Sequence, residues 1–310
     1  MARRLWALVV CALVSVGAGW LLSPSAGTQP GPRCGTASVG PPATFEHVVL
    51  IVFENKYRQQ IIGNSAAPYL NSLATQCGQA TAMNAVEPVA SLPNYIALTS
   101  GTTGSPVPIT SNRGPSTWPQ DSVSIFELLH GDWNEWAENL PGPCSATSAY
   151  DYTPNHNPAL YYTRIPAATC QAHDRPMPAS PNISAAFTLL TPNKSHIMHE
   201  DDAPGATTQT QRIIAGDQWL AGYLPAVFAT PEYLGGETVV IITWDEGSAK
   251  RNVVPFIVMS PYTPAGYTTS IALNHYSTLK GIQQMLGLTP LLGHAGDPST
   301  VSIRDYFGLS

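Results

Sequence analysis

Apolar residues fall in two kinds of run along this chain. In the first, every position between the ends is apolar. His47-Val48-Val49-Leu50-Ile51-Val52-Phe53 is such a run, residues 238–243 and 255–259 are two more, and 187–190 reads as a shorter strand interrupted by Thr188. Runs of this length without alternation predict strands buried on both faces, the habit of parallel sheets. In the second kind, apolar positions recur at helical spacing. Pro68–Gln76 carries Tyr69, Leu70 and Leu73 on one face. Residues 94–99 carry Tyr95, Ile96 and Leu98, with Ser91 just before the expected N-terminus. Residues 124–129 read as a short helix feeding the 133–136 segment, and 278–286 as a helix ended by Gly287. Residues 207–229 read as a long helix with Ile213, Ile214, Trp219, Leu220 and Val227 toward the core. Strands alternating with helices predict an α/β fold with a mostly parallel central sheet and helices on both faces.

Two segments break the pattern. Residues 27–43, rich in Pro and Gly, read as an extended lead-in. Residues 141–181 are irregular, rich in Pro, Tyr and His, and hold two cysteines. A loop that long inside a compact domain is usually a lid or a substrate wall. Neither an internal repeat nor a linker interrupts residues 28–310, which predicts one domain there.

Composition narrows the picture. The chain has 310 residues, 44% of them hydrophobic and 11% charged, enough for a full core and unlike a disordered chain. Net charge is −6 and no basic cluster occurs, which argues against a non-specific nucleic-acid binder. Met1-Ala2-Arg3-Arg4, a long apolar run and then small residues predict a signal peptide over residues 1–27, hence export to the medium or the cell envelope. The alternative is an uncleaved anchor, for which the run is long enough. Four cysteines then remain, and an even number in an exported chain predicts two disulfides. Cys144 and Cys170 bracket one loop-rich segment, so the expected pairs are Cys144–Cys170 and Cys34–Cys77, with buried free thiols as the alternative.

The candidate chemistry sits where strands end. Phe53-Glu54-Asn55 closes the first apolar run and Thr243-Trp244-Asp245-Glu246-Gly247 closes the 238–243 run. Carboxyl ends of parallel strands are where open α/β sheets gather ligands. Asp245 and Glu246 repel one another, a cost that a hard divalent ion such as Mg²⁺, Ca²⁺ or Mn²⁺ relieves. Glu54-Asn55 alone reads equally well as a polar turn. Ser91 opens a helix, so it is either a plain cap or a nucleophile whose phosphate would meet free N–H groups, with Asn94 as a further donor. Three histidines stand in polar surroundings, His156, His199 and His275, as phosphate-binding or leaving-group acids, or else as surface and capping residues.

Together these segments resemble the phosphoesterase family of bacterial secreted acid phosphatases and phospholipases C, within the alkaline-phosphatase-like superfamily. The landmarks are Phe53-Glu54-Asn55, Ser91-Leu92-Pro93-Asn94-Tyr95, His156-Asn157-Pro158, Pro192-Asn193 with Met198-His199, Gly216-Asp217-Gln218-Trp219-Leu220, Thr243 to Gly247 and Asn274-His275-Tyr276-Ser277. The resemblance implies a three-layer sandwich with Ser91 as the nucleophile of a phosphoserine intermediate. It also implies one divalent ion, of unfixed identity with Zn²⁺ included, on Glu54, Asn55, Ser91, Asp245 and Glu246. The expected activity is that of a secreted acid phosphatase on phosphomonoesters. Its substrate would be a small-molecule or lipid phosphoester, with no nucleic acid and no stable protein partner. The alternatives are a phospholipase C-like diesterase, favoured by an apolar wall at Tyr161-Tyr162, or a binding protein without turnover. The latter is motivated by Val89-Ala90 and Ile197, where relatives carry His-Pro and Asp.

Overall fold

The computed structural model describes residues 31–88, 90–199 and 206–310. The leader expected over residues 1–27 lies outside them. Strand β1 (His47–Phe53) is followed by helices α1 (Arg58–Ile61) and α2 (Pro68–Gln76) and short strands β2 (Gly78–Ala80) and β3 (Met83–Asn84). Then come α3 (Ser91–Ser100), α4 (Ile125–Leu128), β4 (Trp133–Ala137), α5 (Ala167–His173), β5 (Asp174–Pro176) and β6 (Phe187–Thr191). The chain continues through α6 (Gln209–Phe228), α7 (Pro231–Gly235), β7 (Thr238–Trp244), β8 (Phe256–Met259), β9 (Thr268–Thr269), β10 (Leu273–Asn274) and α8 (His275–Met285).

Eight of these strands form one sheet in the order β5-β4-β6-β1-β7-β8-β2-β9. From β5 to β7 every neighbouring pair is parallel. β1 and β7 lie near the centre, as they must: Val48 to Val52 and Val239 to Ile242 are all buried. At an edge each of those side chains would forfeit roughly 1.5–3 kcal/mol of burial. β8 runs antiparallel to β7 and to β2, which qualifies the parallel expectation. No helix separates β7 from β8, so the chain cannot cross back to start a parallel strand. Helix α3 packs on α8 and α2 on α6.

Most expected elements hold to within two or three residues. Ser91 is the first residue of α3 rather than the residue before it, with Ala90 in extended conformation as the cap. On α6, Ile213, Leu220 and Val227 are buried, but Ile214 is exposed and Trp219 only partly covered. The 141–181 segment is less irregular than its composition suggests, because it contains two 3-10 turns, α5 and the edge strand β5. Both expected disulfides are present, Cys34–Cys77 and Cys144–Cys170. The second ties α5 to the start of that segment.

Strand pairing sets Glu135 of β4 opposite Asp174 of β5, both buried. Glu135 accepts from the Ala159 N–H at 2.9 Å and Asp174 from Asn157 Nδ2 at 2.8 Å, so the two acids hold the segment that follows His156. Burial pushes Asp174 up to about 7. Its stabilising, protonated form is fully present below the ordinary carboxylate range and is lost as pH rises through 7. Asp174→Asn keeps the acceptor for Asn157. It should raise Tm by a few degrees at pH 8 and change it little at pH 4, read by circular dichroism. Equal shifts at both pH values would contradict this.

Candidate active site

The register of the central strands assembles the site. β1 and β7 pair in parallel with Phe53 opposite Trp244, and Asp245 N–H donates to Phe53 O at 2.9 Å. The next residues on each strand, Glu54 and Asp245, therefore emerge side by side. Asn55 turns away with φ 47° and donates its N–H to Asp245 Oδ1 at 3.1 Å. Gly247 is required after the acids, because a Cβ there would lie 2.3 Å from the Arg251 carbonyl oxygen.

Ser91 reaches this cluster from α3. Its hydroxyl donates to Glu54 Oε2 at 2.8 Å, and both side chains are buried. Asn112, from the loop after α3, accepts from the Leu92 N–H at 3.0 Å and presents Nδ2 at 3.5 Å from Ser91 Oγ. It thus supplies the donor beside Ser91 that was expected of Asn94. Asn94 is committed elsewhere. Its Oδ1 accepts from the Val86 and Glu87 N–H groups and its Nδ2 donates to the Glu87 and Ala90 carbonyls. All four hydrogen-bonding positions of that amide are spent on the loop before Ser91, leaving none for a substrate.

The three histidines separate. His156 Nε2 lies 3.2 Å from Glu54 Oε1, outside hydrogen-bond geometry, and its ring stacks on Tyr95. Burial, then the nearby His199 and Lys194, hold it well below the ordinary imidazole range, so it is neutral. His199 is half-buried and shares a cavity of about 200 Å³ with Asn112, Thr153, Asn155, His156 and Lys194. His275 is not brought to that cavity. It is fully buried, its Nε2 donates to the Asp245 carbonyl at 2.6 Å, and burial lowers it to about 4. It anchors the strand end from behind rather than serving a leaving group. The loop carrying His199 is shaped by Asn193, whose Oδ1 accepts from the Ser195 and His196 N–H groups.

The acidic side chains fit a divalent cation. Glu54 Oε1, Asn55 Oδ1, Asp245 Oδ2 and Glu246 Oε2 are all buried without a hydrogen-bond partner, a costly arrangement unless something positive completes it. Oxygen donors alone suit a hard ion. Burial first, and then the neighbouring Glu246, pushes Glu54 up to about 8, and burial with Asp245 beside it pushes Glu246 to about 8. Asp245 is driven well up by burial and by Glu54. Among the described residues, the group of three ligand atoms lying within 4.8 Å of one another is Cys144, Cys170 and Asp174, whose sulfurs are spent on a disulfide; the oxygens of Glu54, Asp245 and Glu246 stand further apart.

Cation entry must displace these protons, so Mg²⁺ or Mn²⁺ binding at pH 7 should release protons. Apparent affinity should climb with pH through about 8, where both glutamates give up their protons. Calorimetry in two buffers of different ionisation enthalpy measures this. Binding with no proton release at pH 7 would count against the ligand set.

Three comparisons bear on this site. The Phosphoesterase family profile matches residues 63–289. A phosphatidylinositol-3-phosphatase from Mycobacterium tuberculosis is 31% identical over 293 residues, covering 92% of this chain and 90% of that protein. Among solved structures, a protein in the alkaline phosphatase superfamily from Vibrio parahaemolyticus matches with TM-score 0.54 and 12% identity, over 92% of this chain and 76% of that one. Murine ectonucleotide pyrophosphatase/phosphodiesterase 5, solved as an inactive variant with AMP, matches with TM-score 0.53 and 11% identity, over 81% and 97% of the two chains. At such identities the two structures speak for the fold.

Proposed function

The chain belongs to the phosphoesterase family and is a hydrolase of phosphoric ester bonds; from that premise we propose that it cleaves phosphomonoesters through Ser91. The observation that carries this reading is the Ser91 hydroxyl, donating to Glu54 at 2.8 Å with Asn112 beside it and a polar cavity adjoining. Ser91 Oγ bonds to phosphorus as its proton passes to Glu54 Oε2, and the bond from phosphorus to the departing alkoxide breaks. Asn112 Nδ2 faces the transferring oxygens. His199, on the cavity wall, gives the alkoxide its proton. Water then attacks the phosphoserine, losing a proton to His199 as the bond from Ser91 Oγ to phosphorus breaks; Glu54 returns its proton to Ser91 Oγ, and inorganic phosphate leaves. A divalent ion held by Glu54, Asn55, Asp245 and Glu246 would supply charge neutralisation and a more acidic Ser91 hydroxyl. Phosphoryl transfer asks mainly for this positioning and electrostatic stabilisation.

An apolar wall at Tyr161 and Tyr162 would favour a diesterase. Both rings are buried, and their hydroxyls bond to the Arg113 carbonyl and to Thr99 instead. The Ile197 carbonyl accepts from the Glu54 N–H at 2.9 Å, a backbone bond that an Asp there would make equally, so the turnover assay decides the binding-protein reading. A phosphoinositide monoester, the substrate in the name of the 31% identical relative, lies within the proposed class. Two disulfides support the proposal that the chain works outside the cytoplasm.

The test uses protein recovered from the culture medium, stripped with chelator and re-supplied with single divalent metals. Para-nitrophenyl phosphate should be cleaved at least ~10-fold faster than para-nitrophenylphosphorylcholine, and only with metal. A preference for the diester would replace this reading, and undiminished activity without metal would remove the cation from it. Absence from the medium would count against export.

A further inference from the structure

The cavity beside Ser91 divides into two halves by what its walls are tied to. Asn112 and His156 belong to the reacting end, because Asn112 bonds to Leu92 and approaches Ser91 Oγ, while His156 abuts Glu54. Among the described residues, the rest of the lining is Thr153, Asn155, Lys194 and His199, of which Thr153 and Asn155 bond to each other and not to Ser91 or Glu54. Their side of the cavity is therefore where the alcohol half of a bound monoester sits. Among the described residues, every wall side chain carries a polar group. Sites for acyl or aromatic groups are lined mainly by apolar side chains, so this one is built for a hydrophilic group.

The far wall is also held in place. The Lys194 N–H donates to the Asp151 carbonyl at 2.9 Å, stitching the loop after β6 to the segment that carries Thr153 and Asn155. The Thr153 hydroxyl donates to Asn155 Oδ1. An amide whose oxygen is engaged keeps two N–H donors for a ligand. The adjacent His156 carbonyl accepts from Thr191 Oγ1 at 3.2 Å, and Asn157 is bonded to Asp174, which fixes the turn from below.

We propose that this cavity takes the leaving group of a small polyhydroxylated phosphomonoester (a polyol, sugar or cyclitol phosphate), with Asn155 reading its hydroxyl groups. The inference rests on the phosphomonoesterase reading and names its substrate class. A site with donors placed for substrate hydroxyls discriminates against analogues lacking them, because a bound analogue covers the donors and leaves them unpaired.

Matched pairs isolate the effect: glycerol 1-phosphate against propyl phosphate, and glucitol 6-phosphate against hexyl phosphate, on the metal-loaded full chain. The hydroxylated member should lead in kcat/KM by about tenfold or more. Asn155→Leu, of similar volume, should bring that ratio below about 2, and Asn155→Gln should restore part of it. Asn155→Ala carries the same test if the leucine variant does not fold. Soluble myo-inositol 3-phosphate beside vesicles containing phosphatidylinositol 3-phosphate separates a free polyol from a membrane-borne headgroup. Turnover of either above hexyl phosphate supports the proposal. A wild-type ratio near one, or a ratio untouched by Asn155→Leu, overturns it while leaving the phosphatase reading standing. Failure to turn over any monoester takes down both.

Discussion

Ser91→Ala is expected to leave a folded, metal-binding protein whose turnover has dropped by on the order of 10⁴-fold or more. Losses of this size follow when a nucleophile that works as a unit with its neighbours is removed. The fold should survive, because alanine is a good helix former at the first position of α3 and the Ala90 cap precedes it. What goes is one hydroxyl and its bond to Glu54, about 1 kcal/mol of net stability. Quenched-flow assays with labelled monoester should trap phosphoprotein in the wild type and none in the variant. Retention of more than a few per cent of the rate would mean that water attacks phosphorus directly.

Asp245→Asn should have the second largest effect, and in two directions at once. Divalent-ion affinity should fall by more than the 10–100-fold typical of outer partners, since an inner donor loses its charge, and turnover should fall with it. The metal-free variant should nonetheless be more stable than metal-free wild type at pH 8. Asp245, Glu54 and Glu246 are buried together with raised proton affinities. In the metal-free wild type, stability contributed by the protonated glutamates is present below about pH 4 and is drained as pH climbs through about 8, and burial beside Glu54 drives Asp245 in the same direction. Asparagine does not ionise, so it escapes that loss while keeping the Oδ1 acceptor for the Asn55 N–H. Thermal melts with and without saturating Mn²⁺ at pH 8 should cross over: variant above wild type without metal, below it with metal. Parallel curves would mean that Asp245 is not a ligand.

Much of this framework is written in local patterns. β1 and β7 announce themselves because burial on both faces demands unbroken apolar runs, and the acids that follow them mark the strand tips. The antiparallel turn into β8 is also readable, since residues 245–255 contain no helical spacing with which to cross back. The edge strand β5 is not. Asp174, Arg175 and Pro176 have no apolar alternation, and an edge position does not impose one. The exchange of Asn94 for Asn112 has a similar cause. Asn94 lies three residues from Ser91 in sequence, but its amide is used up by backbone groups of residues 86–90. Asn112 lies in the aperiodic stretch after α3, where only tertiary folding brings it back to Ser91. His275 fails for another reason: a polar setting in sequence says nothing about whether the ring faces solvent or the underside of a strand.

The pairing of β1 with β7 also sets where this chain can vary in length. Deleting one residue from either strand would draw an acid back by about 3.3 Å and turn it to the opposite face of the sheet. Glu54 and Asp245 would then no longer meet, however well the remaining core repacked. In a deletion scan the two central strands should therefore be silent zones for active clones even where soluble protein persists. Length changes that preserve activity should gather in exposed stretches, such as 146–150, that neither strand has to follow.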